Sequence, residues 1–292
     1  MSTATAAQPR PFLIGGEWVS DTPSCITSIN PATGEKNYEV CAATEAHIDT
    51  AVKSAATAAA KPAWRNMLPH LRSALLHRIA DLMMERSDLL ARCQMVENGK
   101  IWNECKVQVA AAAASFRFFA SAIEVLGAEV TPSRGNYLSM TAYEPYGVVA
   151  AITPWNSPMT LACSKLAPAL AGGNAVVLKP ASLTPSCGIE LGRIALDAGV
   201  PPGILNVVSG AGGQIGDVLV QHPAVRMVSF TGGTEVGRRI AKLAGERLIP
   251  VSAELGGKSP HIIFADANLT AAAEAATVSI FEGTGQSCIA GS

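Results

Sequence analysis

Near the end of the sequence Cys288 lies among small and apolar residues, with Gly285-Gln286-Ser287 before it and Ile289-Ala290-Gly291 after it. Such a segment is flexible enough to present a thiol, and an ionised thiol is a nucleophile. The bland alternative is a core cysteine, because free Cys is among the most buried residue types. Two other side chains bear on what the thiol could do. Glu254 closes an apolar run, where an acidic residue is ordinarily half of an ion pair, and Asn156 stands just before Pro158, where Asn ordinarily makes a turn. His261 is the nearest histidine candidate for a competing chemistry, a cysteine hydrolase with an imidazole as base.

Glycine and lysine offer a second chemistry, the binding of anions. SGAGGQIG occupies 209–216 and TGGTEVG occupies 231–237. Neither has the G-x-G-x-x-G spacing, and the second runs into Arg-Arg where a P-loop needs Lys and Ser or Thr, which excludes a P-loop ATPase. Taken singly, each turn does no more than redirect the chain, and Lys179 could be a solvated lysine at a strand end. Together, two glycine turns after successive strands and a lysine directly after a third suit the phosphates and ribose of a dinucleotide. They supply backbone N–H groups, a helix N-terminus and a cation.

These residues need a scaffold, and the sequence describes one. Apolar runs at 148–152, 175–178, 204–208, 227–230 and 250–255 alternate with stretches of helical length. Nearly continuous apolar runs of this kind belong to a parallel sheet covered by helices on both faces. The candidate residues follow the ends of these runs, where open α/β sheets bind ligands. Upstream, apolar positions recur at helical spacing from Leu68 to Asn98, with Gly99 as a stop, and a second, Ala-rich helix is predicted from about Val107 to Leu126. Arg117 and Glu124 make the surrounding apolar stretch too polar for a membrane span. Between Val130 and Gly147 a Pro, a Ser-Arg-Gly-Asn turn and β-favouring residues read as an extended hairpin, either solvated or pairing with another subunit. Phe116, Phe118 and Phe119 are read as core, with an apolar entrance as the alternative.

With 49% apolar residues, 15% charged residues and a formal net charge of −1, the chain can bury a large core. It has no global field to hold nucleic acid or an anionic membrane. The opening MSTATAAQPRPF lacks the regions of a secretory signal and is read as the frayed terminus of a cytoplasmic protein. Seven cysteines, with no CxxC pair and no histidine at zinc-finger spacing, suggest neither disulfides nor a metal site.

ITPWNSP (152–158), LKPAS (178–182), FTGGTEVG (230–237), ELGGKSP (254–260) and GQSCIAGS (285–292) resemble, in order, the motifs of the aldehyde dehydrogenase superfamily. FLIGGEWV (12–19) and INPATGE (29–35) extend the resemblance over nearly the whole chain. It implies that Cys288 is the nucleophile, that Glu254 is the base activating the water that hydrolyses a thioester, and that Asn156 donates to the oxyanion. A Glu at this motif favours release of a carboxylic acid over transfer to a thiol. The cofactor, NAD or NADP, would lie along Ile152, Thr153, Pro154 and Trp155, with Lys179 and Ser182 at the adenosine ribose. Gly212 and Gly216 would approach the adenine and diphosphate, and Phe230, Thr231, Gly232, Gly233 and Leu255 the second turn and the strand beside it. NAD-preferring members often carry Glu where this chain has Ser182, so NADP stays open, with a slight lean to NAD.

The resemblance implies an α/β architecture. Residues 1–130 and 148–255 form a Rossmann-like NAD(P)-binding domain, residues 131–147 an inserted oligomerisation hairpin, and residues 256–292 the truncated start of an α/β catalytic domain. The substrate is a small-molecule aldehyde, and a full-length form is expected to be a homodimer or homotetramer. Family members continue well beyond the thiol segment. The 292-residue chain alone is therefore expected to be poorly soluble or inactive, and the rival reading is a non-catalytic chain that at most binds nucleotide or serves as a structural or interaction fragment.

Overall fold

The structure, a computed structural model, describes residues 8–291. Residues 1–7, which carry most of the expected frayed terminus, lie outside the described residues. The chain opens with a hairpin of β1 (Phe12–Ile14) and β2 (Glu17–Val19), turned by Gly15 and Gly16 at φ of 65° and 94°. A separate antiparallel ribbon follows, β3 (Cys25–Ile29) with β4 (Lys36–Cys41). Helix α1 (Glu45–Ala60) begins at a capping box in which Thr44 and His47 satisfy each other's backbone N–H groups.

After the short α2 (Pro62–Arg65), the helical stretch expected over 68–98 divides into α3 (Pro69–Glu85) and α4 (Ser87–Asn98). Arg86 leaves the helical conformation between them, and its guanidinium pairs with Asp197 at 2.7 Å. That tertiary ion pair leaves no trace in hydrophobic periodicity. Gly99 ends α4 at φ 75°, the left-handed stop that its type suggested. Helix α5 (Trp102–Val125) starts ahead of the expected Val107, because Cys105 already belongs to its buried stripe with Val109, Ala112, Ala113, Phe116 and Ala120. Phe119 packs against the core but Phe118 is exposed, so only part of the aromatic trio is core.

The hairpin consists of the two-residue strands β5 (Val130–Thr131) and β6 (Ser139–Met140). Then come β7 (Val148–Ile152), α6 (Pro158–Ala171), β8 (Ala175–Lys179), α7 (Ser186–Asp197), β9 (Leu205–Val207) and α8 (Gly212–Gln221). The chain continues through β10 (Val225–Gly232), α9 (Thr234–Gly245), β11 (Val251–Leu255) and α10 (Leu269–Phe281). A tight turn over Glu282–Gly285 leads to Cys288.

One sheet organises the molecule, in the order β11-β10-β7-β8-β9-β1-β2. Strands β7 to β11 are mutually parallel, and β1 joins antiparallel to β9. Helices α1, α8 and α9 pack on one face, while α6 and α7, backed by α3, α4 and α5, pack on the other. All residues of β7, β8 and β9 are buried, as continuous apolar runs require. The last run departs from that expectation. Among the described residues β11 pairs only with β10, and Ser252 to Leu255 are exposed. No helix among the described residues is long and apolar enough to cross a membrane.

Candidate active site

The direction of the sheet reverses between β7 and β10, since β8 and β9 extend to one side of β7 and β10 and β11 to the other. A crevice opens beyond the carboxyl ends of strands at such a point. Lys179, Ile152, Phe230 and Ala253 pair side by side across the four strands, so the residues that follow them emerge together. Thr153 donates its backbone N–H to the Lys179 carbonyl at 3.1 Å, and Thr231 lies in register with Glu254.

Three buried hydroxyls around this crevice, on Thr153, Ser209 and Thr231, have no hydrogen-bond partner among the described residues. Helices α8 and α9 begin here without side-chain caps, which leaves first-turn N–H groups free. Nothing stands within 4 Å of the space a side chain would occupy at Gly212, Gly213, Gly216 or Gly233. By contrast Gly232 lies under the Phe230 ring, where a Cβ would meet Cζ at 2.5 Å. Lys179 is 4% exposed and its ammonium donates to the Pro180 carbonyl at 3.2 Å. Burial pushes its pKa down to about 8. Orphaned hydroxyls, open glycine turns, two free helix N-termini and a buried amine fit a dinucleotide. Ser182 sits half-buried beyond Lys179, Pro154 is half-buried and Trp155 is exposed at the mouth. Leu255 ends β11 against Gly237.

The thiol segment reaches the same end of the sheet from α10. Five cysteines (41, 93, 105, 163 and 187) are buried, whereas Cys288 and Cys25 are exposed. Before Cys288, Gly283, Thr284 and Gly285 are left-handed in succession, at φ of 68°, 58° and 71°. A β-branched residue held there costs about 1–2 kcal/mol and persists only where its surroundings enforce it. Glu104 of α5 accepts from Gly283 N–H at 2.9 Å, and Gln286 Nε2 donates to Thr284 Oγ1 at 2.8 Å. Asn156 Nδ2 donates to the Gln286 carbonyl at 2.9 Å, which brings residues 130 positions apart together beside the thiol. That bond uses one of two amide hydrogens and leaves the other available.

Glu254 belongs to a different part of the site. It is exposed on β11 and makes no hydrogen bond to the thiol segment among the described residues. Its electrostatic partner is Lys165 of α6, buried and donating to Ser229 Oγ at 3.2 Å. Burial pushes the Lys165 pKa down to about 8, and the Glu254 carboxylate opposes the shift.

The structure thus joins Asn156 to the Cys288 segment, gathers the expected cofactor residues along one sheet edge, and leaves Glu254 on the far strand beside Lys165. Sequence reasoning passed over Lys165, Asn98, Lys100 and Glu104. Lys165 stands in an apolar helix, which marks it weakly. Asn98 and Lys100 flank Gly99, where the helix stop was the only visible signal. His261 lies near Gly291, with its ring nitrogen 3.6 Å from where a Cβ would stand on that residue.

The family model described as the aldehyde dehydrogenase family matches residues 18–292. A phenylacetaldehyde dehydrogenase of Pseudomonas fluorescens is 44% identical, over 97% of this chain and 58% of its own length. The solved structure of an NADP dependent enzyme of E. coli superposes with a TM-score of 0.93 at 38% identity, over 97% of this chain and 59% of that one. An aldehyde dehydrogenase from Bacillus cereus, solved as its NAD+ complex, superposes with a TM-score of 0.93 at 35% identity, over 97% of this chain and 58% of that one. The chain therefore spans less than two thirds of the length of these relatives. Since the family match runs from the first hairpin through the crevice to the thiol segment, the chain belongs to the aldehyde dehydrogenase family.

Proposed function

We propose that the protein oxidises an aldehyde to a carboxylic acid with NAD+ or NADP+, using Cys288 as nucleophile. The observation that carries this reading is the bond from Asn156 to the Gln286 carbonyl, two residues from the thiol, at the reversal point of the sheet. Thr153, Thr231, Ser209, Lys179 and the N-termini of α8 and α9 would hold the nucleotide. The nicotinamide, when bound, supplies an acceptor for hydride.

The side chains do the rest. The Cys288 thiolate adds to the aldehyde carbon and forms a thiohemiacetal, whose oxyanion takes the free Asn156 N–H and the Cys288 backbone N–H. Collapse of the oxyanion expels hydride from the same carbon, toward the site where the nicotinamide would accept it, and the acyl group is left as a thioester on Cys288. Glu254 accepts a proton from the water that attacks it, which frees the acid and restores the thiol. Lys165 stabilises the Glu254 carboxylate until it takes the proton.

Division of the chain follows the same reading, with residues 1–130 and 148–255 binding the cofactor and residues 256–292 beginning the catalytic domain. Tyr137, Leu138, Met140 and Tyr143 are exposed on the hairpin, which supports its use in a homodimer or homotetramer. The seven unpaired cysteines support a cytoplasmic place for the protein.

The test uses phenylacetaldehyde, the substrate named for a relative, with NAD+ and NADP+ in turn. Reduced nicotinamide should accumulate with one equivalent of acid, and Cys288→Ala should abolish both. Glu254→Gln should retain a first burst of reduced nicotinamide while steady turnover falls by about 10²-fold or more, with acyl-enzyme visible by mass. A second reading, nucleotide binding without turnover, is favoured by α10, which has no buried residue, and by Glu254, which makes no hydrogen bond to the thiol loop among the described residues. Binding of nucleotide without any reduction would establish it.

A further inference from the structure

Three carboxamide side chains form a closed ring at the junction of α4, the Asn156 turn and the thiol loop. Asn98 Nδ2 donates to the Asn156 carbonyl at 3.3 Å, Asn156 Nδ2 to the Gln286 carbonyl at 2.9 Å, and Gln286 Nε2 to the Asn98 carbonyl at 2.9 Å. Each residue is a donor to the next and an acceptor from the last. We propose that Asn98 is a positioning residue for the reaction, closing this ring so that the free hydrogen of the Asn156 amide and the Cys288 thiol face one point. The proposal rests on the reading of Cys288 as the nucleophile.

Two neighbours of Asn98 complete the seat. Lys100, 2% exposed, donates its backbone N–H to Asn98 Oδ1 at 3.1 Å and its ammonium to Ser157 Oγ at 3.1 Å. Its Nζ also stands 3.3 Å from where a Cβ would project on Gly283, so it packs under the thiol loop. No carboxylate pairs with this ammonium among the described residues, although Glu104, Glu282 and the Cys288 thiol all surround it. Glu104 ties Gly283, as described above, so one segment, Asn98 to Glu104, holds both ends of the strained turn. A ring of directional bonds constrains orientation, and an orientation error at a reacting pair costs rate while nucleotide affinity is spared.

The isosteric change Asn98→Asp tests the ring, since a carboxylate keeps the shape and loses the donor to Asn156. In the intact chain we expect kcat for phenylacetaldehyde to fall by about 10- to 100-fold with the KM for nucleotide unchanged. Alkylation of Cys288 by iodoacetamide, read by peptide mass, should change rate as well. Lys100→Met should show the same kinetic split and Lys100→Arg should restore most of it, a pattern that a general loss of folding would not give. Parental kcat and alkylation in both Asn98→Asp and Lys100→Met, with Cys288→Ala inactive, would overturn the positioning role and leave the proposed reaction standing. Aldehyde oxidation that survives Cys288→Ala would overturn the reaction itself, and with it this inference.

Discussion

A buried amine is a cost that must be offset, and Lys179 makes the point at the scale of one residue. Its pKa falls from 10.5 to about 8 because burial disfavours the charged form. Between those values the unfolded chain binds the proton and the folded chain does not, so stability contributed at this position rises as pH rises through the window. At pH 7 the folded protein still carries the charge at a penalty on the order of 3 kcal/mol. Lys179→Met removes that penalty. Urea unfolding should show the variant's advantage over the parent largest near pH 7 and shrinking steadily toward pH 10. A difference that stays flat with pH would mean that the amine is solvated when folded. Residue types made Lys179 and Cys288 visible in the sequence, one after a strand end and the other among small neighbours. Lys165 was not visible, because its meaning comes from Glu254 on a strand 89 positions away in number and near only in the fold. Asn98 was hidden for the same reason, since it donates to the Asn156 carbonyl and its own carbonyl accepts from the Gln286 amide, contacts across 58 and 188 positions that no pattern of residue types can reveal.

At the scale of elements, β7, β8 and β9 were legible because burial on both faces demands continuous apolar runs, and the runs that suggested β10 and β11 overlap those strands as well, though they are less buried. The join between α3 and α4 was illegible, since both helices bury the same kind of stripe and the break depends on Arg86 reaching Asp197. How closely a helix lies on the sheet is also a matter of fold. Gly192 of α7 faces Leu13 and Val207, and a Cβ there would come within 3.0 Å and 3.1 Å of their methyl groups. Both neighbours are fully buried and locked in the core. Alanine in place of glycine normally favours a helix by about 1 kcal/mol. Here overpacking, typically about 1–3 kcal/mol, outweighs that gain. Gly192→Ala should therefore lower the urea midpoint, while Gly245→Ala, at an end of α9 with open space around it, should not. Equal midpoints for the two variants would show that α7 can move away from the sheet at no cost.

For the molecule as a whole, order is distributed unevenly, and the distribution has a consequence that can be measured. The core runs unbroken through β1, α1, the helices α3 to α7 and strands β7 to β10. Beyond β11, α10 buries no residue, and Ile262, Phe264, Leu269 and Phe281 are exposed. Among the described residues, Gly283 donates to Glu104, Gln286 donates to the Asn98 carbonyl and Asn156 donates to the Gln286 carbonyl, polar bonds that tie this last segment to the rest. Backbone held by few buried contacts opens at low free energy, and proteases cut where backbone opens. Lys258, exposed just past the end of β11, is the lysine best placed for that. Limited trypsin digestion should therefore cut first after Lys258, and the large fragment should keep the melting transition and the nucleotide affinity of the parent. The small fragment carries Cys288, so the proposed aldehyde oxidation should vanish with the cut. If cleavage instead begins within α3, α5 or α6, or if nucleotide affinity falls together with activity, the segment after β11 is integral to the sheet core and the cofactor site does not stand apart from the thiol.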